Sequence, residues 1–159
     1  MMKKLFGLLA LFVLMASSVL GFNMQLTPDV VSMGTTDSKL ISVCVTQGGL
    51  PVVGQPLAMD TYCKDLNTNG ACNAGDVFFP GDFSAVVTQT PTNASGCGQV
   101  TLTTTGAVPA QYAYTVNGTS GGVTVDSASG LVLVPEFTTI GAGLILAGAG
   151  AYMYRKRKQ

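Results

Sequence analysis

An uncharged apolar run close to the C-terminus constrains this chain more than any other feature. It extends from Thr138 to Tyr154, is rich in Gly and Ala, and has Leu144, Ile145 and Leu146 at its centre. As a helix it would be about 25 Å long, which is short but sufficient for a bilayer core of about 30 Å. The basic cluster 155–159 that follows indicates a cytoplasmic end. The sequence therefore predicts a transmembrane helix over 138–154, with everything before it outside the cell.

A short motif, Pro135-Glu136-Phe137, lies immediately before the apolar run. Motif, apolar helix and basic end together form a tripartite sorting signal over residues 135–159. This segment resembles the PEF-CTERM signal of archaeal surface proteins, the substrates of archaeosortase. The resemblance implies that an intramembrane cysteine transpeptidase cuts near the motif and transfers the protein to a lipid. A plain tail anchor that stays attached is the alternative.

The N-terminus has the three parts of a secretory signal peptide. Lys3 and Lys4 precede an apolar run, and small residues follow over 16–21. The sequence predicts a signal peptide over residues 1–21, cleaved after Ser18 or Gly21, with an uncleaved N-terminal anchor as the alternative. Both termini place their basic residues inside, so the two signals agree that the middle of the chain reaches the extracellular face of the cytoplasmic membrane.

The balance of charge changes when these terminal segments are set aside. Six of the eight basic residues belong to the termini, which leaves Lys39 and Lys64 against seven aspartates and Glu136. The exported part is therefore acidic and has no basic patch, which argues against binding to nucleic acid.

The segment between Phe22 and Pro135 has a two-residue period instead of a helical one. Ile41, Val43 and Val45 share one face of a strand, and the segment Gln99–Thr105 alternates in the same way. Glycine pairs and Asn117-Gly118 suggest turns between the strands. This pattern predicts seven or eight strands, at about 24–33, 39–47, 52–63, 77–79, 83–90, 98–105, 111–117 and 122–134.

Short strands at this spacing favour one antiparallel β-sandwich over residues 22–134. Three stretches, Gly49–Pro56, Gly96–Thr103 and Tyr112–Gly118, resemble the corresponding segments of the bacterial Ig-like domains found in invasin-type surface proteins. The resemblance covers most of the domain and implies an all-β, Ig-like sandwich.

Four cysteines lie in the exported part, which indicates disulfides. Cys44 and Cys97 each fall opposite the apolar face of their strands. In the Ig-like sandwich that the resemblance implies, the second and fifth strands are antiparallel neighbours, so the end of one meets the start of the other. We therefore predict Cys44–Cys97, with Cys63–Cys72 as a local clasp. Reduced thiols or a metal site are the alternative, although the spacing matches no zinc pattern and the chain has no His.

The segment after Cys63 has the residue types of a twelve-residue calcium loop. Oxygen ligands are expected from Asp65, Asn67, Asn69, the Ala71 carbonyl, Asn73 and Asp76, with Gly70 at the sharp turn. It resembles the Asp/Asn-rich calcium loops of prokaryotic surface proteins and of thrombospondin type 3 repeats, and it implies a structural Ca²⁺. Its last ligand is Asp where Glu is usual, and its flanks look extended, so it is no EF-hand. An Asn/Gly turn held by a disulfide is the alternative.

Two glycosylation sequons, Asn93-Ala94-Ser95 and Asn117-Gly118-Thr119, fall in predicted turns. Catalysis is not expected, because a chain without His lacks the commonest general base and every Ser-His or Cys-His pair.

Two non-catalytic functions remain. The chain is expected to be a structural or coat component of the cell surface, or a module that recognises a surface glycan or protein. Contacts for recognition could come from the aromatic residues Tyr62, Phe78, Phe79, Phe83 and Tyr112, for which core packing is the alternative. A filament subunit is a further option.

Overall fold

The computed structural model describes residues 21–135. The predicted signal peptide and the C-terminal sorting segment lie outside this range, apart from Gly21 and Pro135. Within it, all regular structure is β, and none of it forms a helix that could cross a membrane. Ten strands follow one another: β1 (Phe22–Thr27), β2 (Val30–Ser32), β3 (Thr36–Gln47), β4 (Leu50–Pro51), β5 (Leu57–Asp65), β6 (Val77–Phe78), β7 (Phe83–Gln89), β8 (Cys97–Thr105), β9 (Ala110–Ser120) and β10 (Val123–Val134).

The strands form two sheets. The first has the order β1-β3-β8-β7, with β4 paired to β3, and the second has the order β2-β10-β9-β5-β6. Every pairing is antiparallel except that of β2 with β10. The order β1-β3-β8-β7 in the first sheet, facing a sheet whose centre is β10-β9-β5, is the arrangement of the immunoglobulin fold. The predicted all-β, Ig-like sandwich is therefore confirmed, but the predicted number of seven or eight strands is wrong, since residues 21–135 form ten.

The predicted strand over 24–33 is wrong as a single element. The chain leaves the first sheet after Thr27, because Pro28 has no N–H to donate to a ladder, and it re-enters the second sheet at Val30. The predicted strand over 52–63 is also displaced and begins at Leu57. Gly54 and Pro56 act together here, since Gly54 has a φ of 77° and Pro56 has no N–H to donate to a ladder.

The predicted turn at Asn117-Gly118 is wrong, because both residues lie inside a strand. Strand β9 continues to Ser120, and Asn117 pairs with Ala58 on one side and Ser127 on the other. Gly118 is needed here for close packing and not for a turn, because a Cβ at this position would lie 2.9 Å from the sulfur of Met24. The turn itself is formed by Gly121 and Gly122, both with positive φ.

The core lies between the two sheets and includes Ile41, Val43, Val45, Val100 and Leu102, which the two-residue period predicted on the inward faces of their strands. Its largest fully buried members are Tyr112, Tyr114, Phe83, Met33, Ile41, Leu102, Val43, Val45, Val100, Val116 and Val132. Two tyrosines occupy its centre. The Tyr112 hydroxyl donates to Asp82 Oδ2 at 2.8 Å and lies 3.4 Å from the carbonyl oxygen of Val108, four residues upstream. A tyrosine near the start of this strand that reaches back to the preceding loop is the tyrosine corner of Ig-like sandwiches.

Candidate functional site: the clasped loop between β5 and β6

Residues 66–76 form a loop that folds back over the outer face of the second sheet. The disulfide Cys63–Cys72 ties the loop to β5, and the Cys72 sulfur lies 3.6 Å from the carbonyl oxygen of Ala113 on β9. Gly70 reaches β10, since a Cβ there would be 3.6 Å from the Leu131 side chain. Cys63 and Ala113 are consequently buried although they point away from the sandwich core.

Both predicted disulfides are confirmed. Cys44 and Cys97 are register partners on β3 and β8, with Cα atoms 4.0 Å apart, so their disulfide links two neighbouring strands of one sheet. Both cysteines are partly exposed on the outer face, as the alternation predicted. Cys63–Cys72 closes a segment of 9 residues and acts as the local clasp on the loop.

Asp65 is the buried anchor of the loop, with only 2% of its surface exposed. Its carboxylate accepts hydrogen bonds from the Gly70 N–H at 2.7 Å, the Gln111 Nε2 at 2.8 Å and the Asn69 N–H at 3.3 Å. Burying a carboxylate is costly unless it is hydrogen-bonded, and three donors meet that requirement here. Gln111 is a residue that sequence reasoning missed, because only the β5–β9 register, which pairs it with Asp65, could have revealed the contact.

The other predicted calcium ligands hold the loop together by hydrogen bonds to its own backbone. Asp76 accepts from the N–H groups of Leu66 and Asn73, at 2.9 and 2.8 Å. Asn67 and Asn69 each accept from the N–H two residues further on, which is the Asx-turn pattern. The predicted ligand residues are therefore gathered in one loop.

The fit of this loop to calcium is partial. The donor set consists of oxygens, which suits Ca²⁺, and each carboxylate oxygen can accept more than one bond. However, Asp65 is already enclosed by three N–H donors, and the carbonyl of Ala71 accepts from Asn73. Within residues 21–135, no cluster of three or more His, Cys, Asp or Glu side chains is arranged to hold a metal ion. Calcium binding by Asp65, Asn67, Asn69, Ala71, Asn73 and Asp76 stays a prediction.

The aromatic candidates for recognition divide into two groups. Phe83 and Tyr112 are buried in the core, with ring centroids 4.9 Å apart. Phe78 and Phe79 are exposed at the edge of the second sheet. Tyr62 lies between the groups and meets the Phe79 ring edge-on at 4.9 Å. Only the edge residues are therefore available to a partner.

The two glycosylation sequons differ in their settings. Asn93 is exposed in a tight turn, where its side-chain oxygen accepts from the N–H groups of Ser95 and Cys97. Asn117 lies within β9, and its side-chain nitrogen donates to Asp60 at 3.1 Å. Glycosylation of either site stays a prediction, and the exposed turn at Asn93 is the more open of the two.

The two core tyrosines give a matched pair of variants with opposite expected effects. Tyr112→Phe removes the donor to the Asp82 carboxylate and should lower the free energy of unfolding by about 1–3 kcal/mol. The buried Tyr114 hydroxyl has no hydrogen-bond partner among residues 21–135, so Tyr114→Phe should leave stability unchanged or raise it by up to about 1 kcal/mol. Urea unfolding of both variants measures these changes. Equal losses in the free energy of unfolding would contradict the different roles of the two hydroxyl groups.

The same tyrosines predict a loss of stability in alkali. Burial, with the nearby charge of Asp29, raises the pKa of Tyr114 from 10.0 to about 12. Burial and the hydrogen bond to Asp82 raise the pKa of Tyr112 as well. Because the unfolded chain releases these protons first, stability is complete below pH about 10 and falls as pH rises towards 12. Tyr114→Phe should make this fall shallower in unfolding curves measured across that range.

Comparison with known proteins adds information on the fold alone. No protein-family model matches the chain, and no curated protein matches it. Similar solved structures include WR4, an MSP family member of C. elegans, with a TM-score of 0.43, 7% identity, and 70% of this chain and 96% of that chain covered. Murine CRIg is similar with a TM-score of 0.38, 10% identity, and coverages of 72% and 96%. A chaperone–tip adhesin complex of CFA/I fimbriae biogenesis is similar with a TM-score of 0.47 and 16% identity, and the match covers 71% of this chain and 56% of that chain.

Proposed function

We propose that the chain is an exported cell-surface protein with a structural or coat role, held at the membrane by its C-terminal segment. The observation that carries the proposal is the agreement of the two terminal signals, which both place residues 22–134 outside. Two disulfides support an oxidising compartment outside the cytoplasm. We further propose that an archaeosortase-like transpeptidase processes the chain at Pro135-Glu136-Phe137 and leaves the domain attached to a lipid.

The proposed role is non-catalytic. The chain contains no His, and all four cysteines are engaged in disulfides. Two cross-links and a buried, hydrogen-bonded loop anchor suit a domain that must persist outside the cell without chaperones or a reducing environment.

Recognition of a surface glycan or protein is the second candidate function, and the exposed Phe78 and Phe79 favour it. Aromatic side chains are enriched where proteins bind partners. A glycan array and a cell-adhesion assay with the wild type and Phe78→Ser separate the candidates. A discrete ligand lost in Phe78→Ser would favour recognition, whereas a coat component should show none.

The topology can be tested by labelling intact cells with a membrane-impermeant amine reagent. Lys39 is exposed on the domain and should react, whereas Lys156 and Lys158, in chains that the transpeptidase has not yet processed, should react only after the cells are lysed. Lys39→Arg is the matched control, because it keeps the charge and removes the reactive amine. Labelling of Lys39 only after lysis would contradict export.

Calcium is proposed to order the loop 66–76 and not to take part in chemistry. With two carboxylates, the affinity should lie in the range of about 10⁻⁴–10⁻³ M that is usual for extracellular modules. Millimolar calcium should slow proteolysis within this loop, and Asp76→Asn should abolish the protection. Asp60→Asn, outside the loop, is the control and should keep it. Equal cleavage rates with and without calcium in the wild type would exclude the ion.

A further inference from the structure

Several exposed apolar side chains lie at the end of the sandwich where β10 finishes, and others, among them Leu50 and Val123, lie at the opposite end. Leu133 pairs with Gln111, which pairs with Asp65, so the ends of β10 and β5 lie at one level. Five exposed residues belong to this end, and we call them the apolar rim: Leu66, Val77, Phe78, Val108 and Leu133. Each of them exposes between 40% and 57% of its surface.

The apolar rim draws on separate elements that the fold brings to one end. Leu66 follows β5, and Val77 pairs with Lys64 near the end of that strand. Val108 lies in the loop that joins β8 to β9, two residues before Ala110, the register partner of Val134. The apolar rim is therefore formed by several segments that meet at this end of the sandwich, and no single loop provides it.

With the proposed anchoring, the sequence keeps this end close to lipid. Only three residues separate Val134 from Thr138, where the apolar run begins. Four extended residues reach at most about 14 Å. A headgroup layer takes up about 5–7 Å of that distance, which leaves less than about 10 Å between the last residue of β10 and the membrane surface. Transfer to a lipid near Phe137 would leave an equally short connection.

The charges at this end decide which membrane surface it fits. The carboxylates of Asp37, Asp65, Asp76 and Asp82 lie here, and each accepts hydrogen bonds from the domain itself. Two cations also lie at this level: Lys64, and Lys39, whose ammonium donates to the carbonyl of Ser32, the register partner of Leu133. The four carboxylates outnumber them, so this end carries a net negative charge and does not attract anionic headgroups. Contact must therefore come from the apolar side chains, which suits a neutral lipid surface.

We propose that this end of the sandwich rests on the membrane, with the apolar rim in the interfacial region of the neutral lipid that surrounds its anchor. The proposal rests on the proposed membrane anchoring. It assigns the rim to a lipid surface and makes the opposite end, about 36 Å away along the 12 residues of β3, the part of the domain that faces outward.

The chain contains no Trp, so single-tryptophan variants report the position of each end. Leu66→Trp and Val108→Trp probe the rim from two elements. Leu50→Trp is the matched control, because Leu50 is exposed on β4 at the opposite end, where it pairs with Gln47. Each full-length variant is reconstituted into phosphatidylcholine vesicles that contain lipids with brominated acyl chains.

Both rim variants should show blue-shifted emission and strong loss of fluorescence to the brominated lipid, and Leu50→Trp should show neither. Quenching should weaken when anionic lipid replaces the neutral lipid. If the protein floats with the vesicles but the rim variants are quenched no more than Leu50→Trp, the docking is wrong and the anchoring stands. A protein that does not float contradicts the anchoring itself. Blue-shifted emission without quenching, rising with the protein-to-lipid ratio, would assign the rim to a second copy and overturn the proposal.

Discussion

Loss of the Cys44–Cys97 disulfide is expected to lower the free energy of unfolding by about 4 kcal/mol, from the chain entropy that a cross-link over 53 residues removes from the unfolded state. The bond joins register partners on two neighbouring strands, so the folded state should tolerate its removal without rearrangement. The double variant Cys44→Ala/Cys97→Ala, followed by urea unfolding, measures the effect.

The second disulfide provides an internal comparison. Cys63 and Cys72 are only 9 residues apart, so the same reasoning gives a smaller loss of about 2.5–3 kcal/mol for Cys63→Ala/Cys72→Ala. This variant should also release the loop 66–76, which proteolysis would detect, whereas Cys44→Ala/Cys97→Ala should leave the loop protected. A larger loss from the short cross-link would contradict the entropic account.

Phe83→Ala is expected to cost about 3–5 kcal/mol, because it leaves a cavity between the two sheets. Phe83 is 2% exposed and packs between Tyr112 and Tyr62, with ring centroids 4.9 and 5.9 Å away. Chemical unfolding of the variant at constant pH measures this loss.

Phe79→Ala is the matched control for Phe83→Ala, because the same side chain is removed from a residue that is 59% exposed. Its ring lies mostly in solvent and has an edge-on contact with Tyr62, so the variant loses little buried apolar surface and the change should stay below about 1 kcal/mol. Similar losses in the two variants would show that the division of the aromatic residues into core and edge is wrong.

The sequence predicted the sandwich because alternation is a local signal. Ile41, Val43 and Val45 must face one side whatever the partner strand is, and the same alternation placed Cys44 and Cys97 outward. Once the Ig-like order was assumed, the cross-strand pairing followed. The two disulfides could therefore be predicted from periodicity together with a topology.

The remaining errors come from contacts between distant residues. Gly118 looked like part of a turn, but it lies in a strand because the Met24 side chain of the other sheet crosses it closely. Gln111 could not be recognised as a partner of Asp65 before the register was known. Likewise, the hydrogen bond that the buried Tyr112 hydroxyl donates to Asp82 joins residues 30 positions apart. No pattern of single residue types contains this information.

The loop 66–76 also has features that the sequence predicts and features that depend on contacts between distant residues. Its composition indicated a tight, oxygen-rich turn, and the Asx turns at Asn67 and Asn69 agree with that. Its position against the outer face of the second sheet, which buries Asp65, depends on the clasp and on the neighbouring strands. The sequence therefore predicted the polar, turn-forming character of the loop, but it did not predict which strands the loop packs against.

The intact mass of the protein recovered from its native membrane tests the central claim most directly. We predict a chain that lacks the signal peptide, ends near Pro135-Glu136-Phe137 and carries the added mass of a lipid, with all four cysteines protected from alkylation until reduction. A mass that retains the residues from Arg155 to Gln159 would contradict processing and leave a tail-anchored ectodomain. A mass that also retains residues 1–21 would contradict cleavage of the signal peptide.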